Sequence, residues 1–225
     1  MTEPELHVLD DPAAAVAELI AGQAAGGGSI VLTGGRTPGR AYERAAELQT
    51  DWSSVEVWWG DERCVPPDDE RSNYRLAKST LLDRLAEQPA EVHRIRGELE
   101  PADAAAEYDR TLEGVELDLL LLGVGSDGHI ASLFPGSPQL AVRDARATSG
   151  PAGLEPWVDR VTMTLPELLS ARRTAVLVTG AEKADVVAKA FRGDITEDVP
   201  ASLLREGGGH LDVFLDPAAA GRTGL

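Results

Sequence analysis

Short, mostly apolar runs alternate along the chain with longer segments of helical spacing. The strand-like runs cover residues 29–33, 55–59, 117–122, 174–179 and 211–215. The helical segments between them cover residues 11–25, 37–48, 102–113 and 182–191. Apolar runs of this length are typical of strands buried in a parallel sheet. Repeated β-α-β units therefore predict an α/β fold with a mostly parallel sheet and helices on both faces.

Weaker patterns complete the prediction. They indicate strands at residues 6–9, 92–95 and 158–164, and helices at 74–85 and 165–171. Residues 141–156 are rich in Gly, Pro and Ala, so we expect an irregular loop or lid there. No internal repeat or low-complexity linker divides the sequence, which predicts one domain over residues 1–225.

The first helix carries recognisable start and stop signals. Asp10 or Asp11 is placed to cap its N-terminus, and Pro12 lies just inside the start. A glycine run at residues 26–28 ends it. Similar glycine turns follow the predicted strands that end near residues 33 and 122, and those turns carry polar side chains.

Charge and composition restrict the function. The formal net charge is -17, a field that repels nucleic acids and anionic membrane surfaces. An anionic small molecule can bind only where N–H groups, Arg and Lys cluster locally. Cys64 is the single cysteine, so no intrachain disulfide forms. The first ten residues lack a signal-peptide pattern and the longest apolar runs are short, so we expect a cytoplasmic protein that does not cross a membrane.

The most informative segment is residues 118–136, Asp118-Leu-Leu-Leu-Leu-Gly-Val-Gly-Ser-Asp-Gly-His-Ile-Ala-Ser-Leu-Phe-Pro-Gly136. An apolar run ends in a glycine-rich turn that carries Asp127 and His129. Parallel sheets place ligands at the carboxyl ends of their strands. Histidine changes charge near neutral pH, so His129 is the candidate proton carrier; the alternative is a capped histidine with a structural role.

A second turn, Thr33-Gly-Gly-Arg-Thr-Pro38, joins a strand to a helix. Gly34 and Gly35 allow close approach of a ligand to the backbone, and the helix N-terminus offers free N–H groups and a positive dipole end. Thr33, Arg36 and Thr37 add donors. The turn predicts a phosphate site, although a tight turn that binds nothing is the alternative. It is not a Walker A loop, because no Gly-Lys-Ser/Thr follows.

Further charged residues follow other predicted strands. Asp61 and Arg63 lie in Gly60-Asp-Glu-Arg-Cys-Val-Pro66, and Asn73 lies in the nearby Ser72-Asn-Tyr74. A solvated loop with a local Asp–Arg pair is the alternative for these. Arg160 and Lys183 lie at or just after later strands, where a pair of cations facing a glycine loop would clamp a phosphate.

Other apparent motifs are rejected. Residues 123–128 match G-x-G-x-x-G, but a dinucleotide fingerprint belongs to the first β-α-β unit and opens a sustained helix. Val124 stands where a nucleophile elbow at Ser126 requires glycine. Cys64 has no neighbouring partner that would activate it. The other histidines, His7, His93 and His210, are assigned structural roles, and no spacing predicts a metal site.

With these four blocks in order, the chain resembles the 6-phosphogluconolactonase family, within the superfamily shared with glucosamine-6-phosphate deaminases. The blocks are residues 33–38, residues 60–66 with 72–74, residues 123–136, and Arg160-Val-Thr162. The resemblance runs nearly end to end. It implies a Rossmann-like fold, no cofactor, and hydrolysis of 6-phospho-D-glucono-1,5-lactone in the oxidative pentose phosphate pathway.

On this basis we assign roles to the candidate residues. The phosphate is expected on the amides of Gly34, Gly35 and Thr37, with Arg160 and Lys183 as counter-charges. His129 is expected to be the general base, with Asp127 setting its tautomer. Oxyanion donors are sought in the 123–129 turn or at Arg63. The remaining substrate-binding candidates are Asp61 and Asn73, which bind sugar hydroxyls or brace the loop, and Arg36, which reaches the phosphate or points to solvent where the family often has Ser.

The resemblance separates two activities. The deaminases follow Asp-Gly-His with Ile-Ala-Phe-Asn-Glu, whereas this chain has Ile130-Ala-Ser-Leu-Phe-Pro135 and no carboxylate. They also have Asp-Glu-Tyr where this chain has Asp-Glu-Arg at 61–63. Both differences favour the lactonase over the deaminase. A sugar-phosphate sensor would need a DNA-binding module that has no room here, and a nicotinamide oxidoreductase would need to bind NAD(P). The sequence leaves monomer and homodimer equally open.

Overall fold

The computed structural model describes residues 2–224, and within them the chain forms ten strands and seven α-helices. The strands are β1 (Glu5–Val8), β2 (Gly28–Leu32), β3 (Val55–Trp59), β4 (Asp61–Arg63), β5 (Glu91–His93), β6 (Leu119–Leu122), β7 (Ala147–Gly150), β8 (Arg160–Met163), β9 (Arg173–Val178) and β10 (His210–Leu215). The helices are α1 (Pro12–Gly26), α2 (Arg36–Leu48), α3 (Asn73–Thr80), α4 (Pro101–Thr111), α5 (Leu165–Leu169), α6 (Ala184–Arg192) and α7 (Pro217–Ala220).

Seven strands form one parallel sheet in the order β1-β10-β9-β6-β2-β3-β5. From β2 the chain builds outward through β3 and β5, and from β6 it builds the other way through β9 and β10. The strand order therefore reverses between β2 and β6, and open α/β sheets bind ligands in the crevice at such a switch point. The predicted α/β class with a mostly parallel sheet is confirmed.

Local signals explain the elements that frame this crevice. Asp11 caps α1 by accepting a hydrogen bond from the Ala14 N–H at 3.2 Å, and Gly27, with φ of 78°, follows the end of the helix. All four leucines of β6 are buried, as a central parallel strand requires. Three of the largest fully buried side chains are tryptophans, Trp52, Trp58 and Trp59, on or beside β3.

Three expectations differ from the structure. The segment predicted as a strand over residues 158–164 forms β8, which lies outside the main sheet in a separate antiparallel sheet of order β4-β8-β7. Residues 141–156 are not irregular throughout, because they contain β7. The helix predicted over 74–85 ends at Thr80 and gives way to a 3-10 turn at Leu82–Arg84. Non-local pairing decides the first, since β8 joins β4 across about a hundred residues of chain. The second follows from the pairing of β7 with β8 across a short loop.

No helix within residues 2–224 is long and apolar enough to cross a bilayer. The longest, α1, has 15 residues, whereas a transmembrane helix needs about 20.

Glu167 on α5 gives the fold a pH dependence. Its side chain is almost buried, and burial raises its pKa from 4.5 to about 7, with Arg146 opposing and Asp109 adding to the rise. Since the folded-state pKa lies above the unfolded value, the stabilising contribution is present below about pH 4.5 and is lost as the pH rises through 7. We expect Glu167→Gln to stabilise the protein by roughly 2 kcal/mol more at pH 8 than at pH 5, measured by urea unfolding.

The matched control for this prediction is Glu206→Gln, at an exposed carboxylate outside any strand. It should change the free energy of unfolding by the same small amount at both pH values. An equal effect of Glu167→Gln at pH 5 and pH 8 would show that this carboxyl does not titrate as described.

Candidate active site

A cleft of about 270 Å³ opens at the carboxyl ends of the strands, at the switch point between β2 and β6. Its walls come from the turn after β2, from β4 and the start of α3, from the turn after β6, and from the turn before α6. Of the candidate site residues singled out in the sequence, those that line it are Thr33, Gly34, Gly35, Asp61, Arg63, Asn73, His129 and Lys183. The fold thus brings together residues that are up to 150 positions apart in the chain.

The glycine turn forms one wall of the cleft. Gly35 has a φ of 111°, a conformation that favours glycine, and it caps α2 so that the first N–H groups of the helix lack helical partners. A Cβ atom on Gly34 would overlap the side-chain amide of Asn73, so the turn and the start of α3 are in close contact. The backbone of the turn is therefore open to a ligand, as the sequence predicted for an anion site.

Two residues of the same turn lie away from the cleft. Arg36 is exposed, and neither it nor Thr37 lines the cleft wall. The Thr37 hydroxyl lies 3.1 Å from the Thr179 hydroxyl and borders a different cavity. Their side chains are accordingly not the donors that this cleft presents, although the N–H groups of both residues belong to the free first turn of α2.

Asp61 and Asn73 brace the opposite wall. The Ser132 hydroxyl donates to one Asp61 oxygen at 2.6 Å, and the Asn73 amide donates to the other at 3.1 Å and to the Asp61 carbonyl at 2.9 Å. Asn73 Oδ1 is buried and has no hydrogen-bond partner in residues 2–224. These bonds link β4, α3 and the segment after His129, so Asp61 is held rigidly at the cleft.

Sequence reasoning missed Glu62, the residue between the two charged candidates of β4. Its buried carboxylate accepts hydrogen bonds from the N–H groups of Arg63, Asn73 and Tyr74 and from the Ser72 hydroxyl, at 2.7 to 2.9 Å. Burial nevertheless raises its pKa above the ordinary value. A carboxylate that ties the start of α3 to β4 sets the position of Asp61 and Asn73. The sequence signal for this role was Ser72-Asn73, ten residues after Glu62, because a serine at the start of a helix and the free N–H groups beside it need acceptors.

His129 and Asp127 form a hydrogen-bonded pair in the turn after β6. Nδ1 of His129 lies 2.6 Å from Oδ1 of Asp127, which also accepts the His129 backbone N–H at 3.1 Å. Burial raises the pKa of Asp127, but the hydrogen bonds and charge of His129 outweigh it and leave the pKa below its ordinary value. An ionised Asp127 holds the proton on Nδ1, so Nε2 is the basic nitrogen. In the described part of the chain Nε2 has no hydrogen-bond partner.

The two predicted phosphate cations line different cavities, and His129 borders both. Lys183 lines the main cleft with the glycine turn, and its ammonium donates to the Val124 carbonyl at 2.9 Å. Burial lowers the pKa of Lys183. Arg160 does not line this cleft; it lies in an adjoining pocket that also contacts His129 and Arg63. The sequence predicted that these two cations clamp one phosphate, but they line two different cavities.

The remaining reactive side chains lie elsewhere. Burial raises the pKa of the Cys64 thiol to about 11, which keeps it protonated. His7 and His210 contact the buried carboxylate of Asp212 at 2.8 and 3.1 Å, and Arg173 contacts it at 2.8 Å. These residues lie on the neighbouring strands β1, β10 and β9 at one side of the sheet. The Glu5, His210 and Asp212 ligand atoms come within 4.8 Å of one another, a grouping that spacing along the chain does not reveal.

The chain is similar over most of its length to characterised proteins. It is 34% identical over 215 residues to a probable 6-phosphogluconolactonase of Arabidopsis thaliana, which covers 86% of this chain and 80% of that protein. A solved 6-phosphogluconolactonase of Leishmania guyanensis superposes with a TM-score of 0.85 at 27% identity, covering 96% of this chain and 97% of the other. A solved monomeric glucosamine-6-phosphate deaminase superposes with a TM-score of 0.86, covering 98% and 100%, but at 20% identity it shows the fold alone.

The similarity includes the segments that build the cleft. The sequence model of the glucosamine-6-phosphate isomerases/6-phosphogluconolactonase family matches residues 7–213. That range contains the glycine turn, β4, the His129 turn and Lys183. The chain therefore belongs to the glucosamine-6-phosphate isomerase/6-phosphogluconolactonase family.

Proposed function

We propose that this protein hydrolyses 6-phospho-D-glucono-1,5-lactone to 6-phospho-D-gluconate, the lactonase step of the oxidative pentose phosphate pathway. The observation that carries the proposal is that His129 and the glycine turn of Gly34 and Gly35 line one cleft. A base and an anion site in one cleft are what hydrolysis of a sugar-phosphate lactone requires. The relatives named 6-phosphogluconolactonase support the same activity.

The phosphate binds at the end of the cleft formed by Gly34, Gly35 and Lys183. Free N–H groups at the start of α2 and its positive dipole end favour an anion. The Lys183 ammonium supplies a full positive charge in a protein whose net charge is -17. This local reversal of charge is what an acidic protein needs to hold an anionic substrate.

His129 acts as the general base. Nε2 takes a proton from water as the water oxygen attacks the lactone carbonyl, and it returns the proton to the ring oxygen when the ring opens. Asp127 keeps the proton on Nδ1 and stabilises the imidazolium that forms. Backbone N–H groups of the turn at residues 123–129 and the Arg63 guanidinium are the candidate oxyanion donors.

A contact of His129 favours lactone hydrolysis over deamination. Deaminases of this superfamily carry a glutamate five residues after the histidine, and this chain has Phe134 there. The Phe134 ring lies 4.5 Å from the imidazole, centroid to centroid. An aromatic ring cannot serve the ring-opening and isomerisation chemistry of that glutamate, so the site keeps a base for water and lacks the second acid.

The direct test is a comparison of two substrates with the purified protein. We expect formation of 6-phosphogluconate from the lactone well above the spontaneous rate, measured at a pH low enough to slow that background. We expect no ammonia from glucosamine 6-phosphate. Ammonia release without lactone hydrolysis would replace the proposal with the deaminase.

Lys183→Met is expected to weaken binding of the phosphorylated lactone. A hydrogen bond to a charged group is worth about 1.5–3 kcal/mol, so KM should rise roughly 10- to 100-fold while kcat changes little. Unphosphorylated gluconolactone should be hydrolysed with unchanged kcat/KM, because it lacks the group that Lys183 holds.

Lys189→Met provides the matched control for this change, since Lys189 lies on the exposed face of the neighbouring α6. It should leave both substrates unaffected. If Lys183→Met lowers kcat/KM equally for the phosphorylated and unphosphorylated lactones, Lys183 does not bind the phosphate.

A further inference from the structure

A second, smaller pocket adjoins the cleft at His129. Its volume is about 60 Å³, against about 270 Å³ for the main cleft, and the two share Asp61, Arg63 and His129. A cavity needs roughly 10–15 Å³ of this volume to hold one water, so the pocket has room for a small polar group such as a carboxylate. The glycine turn and Lys183 are absent from its walls, and Arg160 is among them.

Arg160 is a buried cation without a counter-ion. It is 4% exposed; Nη2 donates to the Pro156 carbonyl at 3.0 Å, and Nη1 is buried with no hydrogen-bond partner in residues 2–224. In the described part of the chain no carboxylate lies within ion-pair distance of its guanidinium. An unpaired buried charge is costly and is retained where a ligand completes it.

Strand pairing places a second guanidinium beside this one. Arg63 of β4 is the direct antiparallel partner of Arg160 of β8. Arg63 donates to the Arg71 carbonyl and, within residues 2–224, also lacks a carboxylate partner. Two like charges in register are unfavourable unless an anion lies between them. Two carboxylates line this pocket. Asp61 already accepts hydrogen bonds from Ser132 and Asn73, and the exposed Glu155 forms no ion pair with either guanidinium within residues 2–224.

We propose that Arg160, together with Arg63, binds the C1 end of the sugar: the carbonyl oxygen of the lactone as it becomes an oxyanion, and then the carboxylate of the product. This inference rests on the proposed function and adds to it the orientation of the substrate in the cleft. The phosphate lies at Gly34, Gly35 and Lys183, and C1 lies at the opposite end, with His129 between the two.

The reaction supplies the anion that this pocket lacks. The water oxygen bonds to C1, one water proton passes to Nε2 of His129, and the carbonyl electron pair moves onto its oxygen. On collapse, the bond between C1 and the ring oxygen breaks and the ring oxygen takes the proton from His129. The carboxylic acid that remains loses a proton to solvent. The resulting carboxylate lies at the end of an opened chain, farther from the phosphate than C1 was in the ring, which suits a site beyond His129.

The test compares two ligands that share a phosphate and a hydroxylated chain. 6-Phosphogluconate has a carboxylate at C1, and D-glucitol 6-phosphate has a hydroxyl there. We expect wild-type protein to bind 6-phosphogluconate at least tenfold more tightly by calorimetry. Arg160→Met should abolish this preference without weakening glucitol 6-phosphate, and should lower kcat for the lactone about a hundredfold. Lys183→Met should weaken both ligands alike.

Several results would overturn the assignment. They are equal affinity of the wild type for the two ligands, equal weakening of both by Arg160→Met, or an unchanged preference in that variant. The wild-type comparison needs no variant, so it decides the question even if Arg160→Met does not fold; Arg160→Lys, which keeps the charge, should retain part of the preference. The surface control Arg143→Met should behave as wild type.

Failure of wild-type protein to hydrolyse the lactone would refute the proposed function separately, whereas normal hydrolysis without a carboxylate preference refutes only this inference.

Discussion

Replacing His129 with alanine is expected to lower kcat for the lactone by about 10²–10⁴-fold, with KM nearly unchanged. The substitution removes the proposed base, which takes a proton from water and returns it to the ring oxygen. The proposed phosphate site of Gly34, Gly35 and Lys183 is left intact, so we expect the substrate still to bind. Steady-state kinetics at a pH that slows spontaneous ring opening measures both constants.

Asp127 sharpens the interpretation of that loss. Its role is to orient the imidazole and set the tautomer through the 2.6 Å contact with Nδ1. Asp127→Asn alone should lower kcat. Added to His129→Ala, it should lower kcat little further, because the effects of two residues that act as one unit are not additive. The control is His210→Ala, which removes an imidazole at the start of β10, outside the cleft. Turnover close to wild type in His129→Ala would end the assignment of the base.

Gly125→Ala is expected to lower kcat at least hundredfold, although it replaces no titratable group. An added Cβ would overlap Nδ1 and Cε1 of His129 and would lie 2.7 Å from Oδ1 of Asp127. The imidazole must therefore move or break its bond to Asp127, and a displacement of about 1 Å in a catalytic group costs roughly 10²-fold in rate. The effect is steric, since Gly125 is not among the residues with positive φ.

Gly123→Ala is the matched control, with the same methyl added to the same turn two residues earlier. A Cβ there meets no atom within 4 Å, so kcat should stay near wild type, and any effect should fall on KM because Gly123 lines the cleft. A crystal structure of Gly125→Ala should show the displaced imidazole. Normal kcat in Gly125→Ala would mean that the position of the His129 ring does not limit catalysis.

The parallel sheet was predictable because local sequence patterns mark its strands and helices. The run at β6 consists of leucines, and only a strand covered on both sides buries all of them. Asp11 and Pro12 mark the start of α1, and Gly27 marks its end. Each of these signals acts over a few residues, so the sequence alone contains them.

The small antiparallel sheet was not predictable in the same way. β4 has three residues and β7 has four, and neither has a clear period. The pairing of β4 with β8 joins segments about a hundred residues apart, and β7 pairs with β8 across a loop of nine residues. Packing against neighbours, more than intrinsic preference, decides whether such short segments become strands.

Much of the candidate site was likewise found from glycine turns and polar residues after strands. Gly34, Asp61, His129 and Lys183 meet in the cleft because parallel strands bring their carboxyl ends to one edge. Glu62 was overlooked, since three of its four hydrogen bonds form only when the start of α3 folds back onto β4.

By itself, the sequence determined the kind of sheet, the turns that line the candidate site and the family of the chain, because hydrophobic periodicity, glycine turns and capping residues act locally. Tertiary structure alone decided which side chains share a cavity. It moved the side chains of Arg36 and Thr37 out of the cleft, set the Phe134 ring against the imidazole, and separated Arg160 from Lys183. The reason is that strand register and side-chain packing arise from contacts between distant segments, and these fix the distance between two charges in a way that their order along the chain cannot.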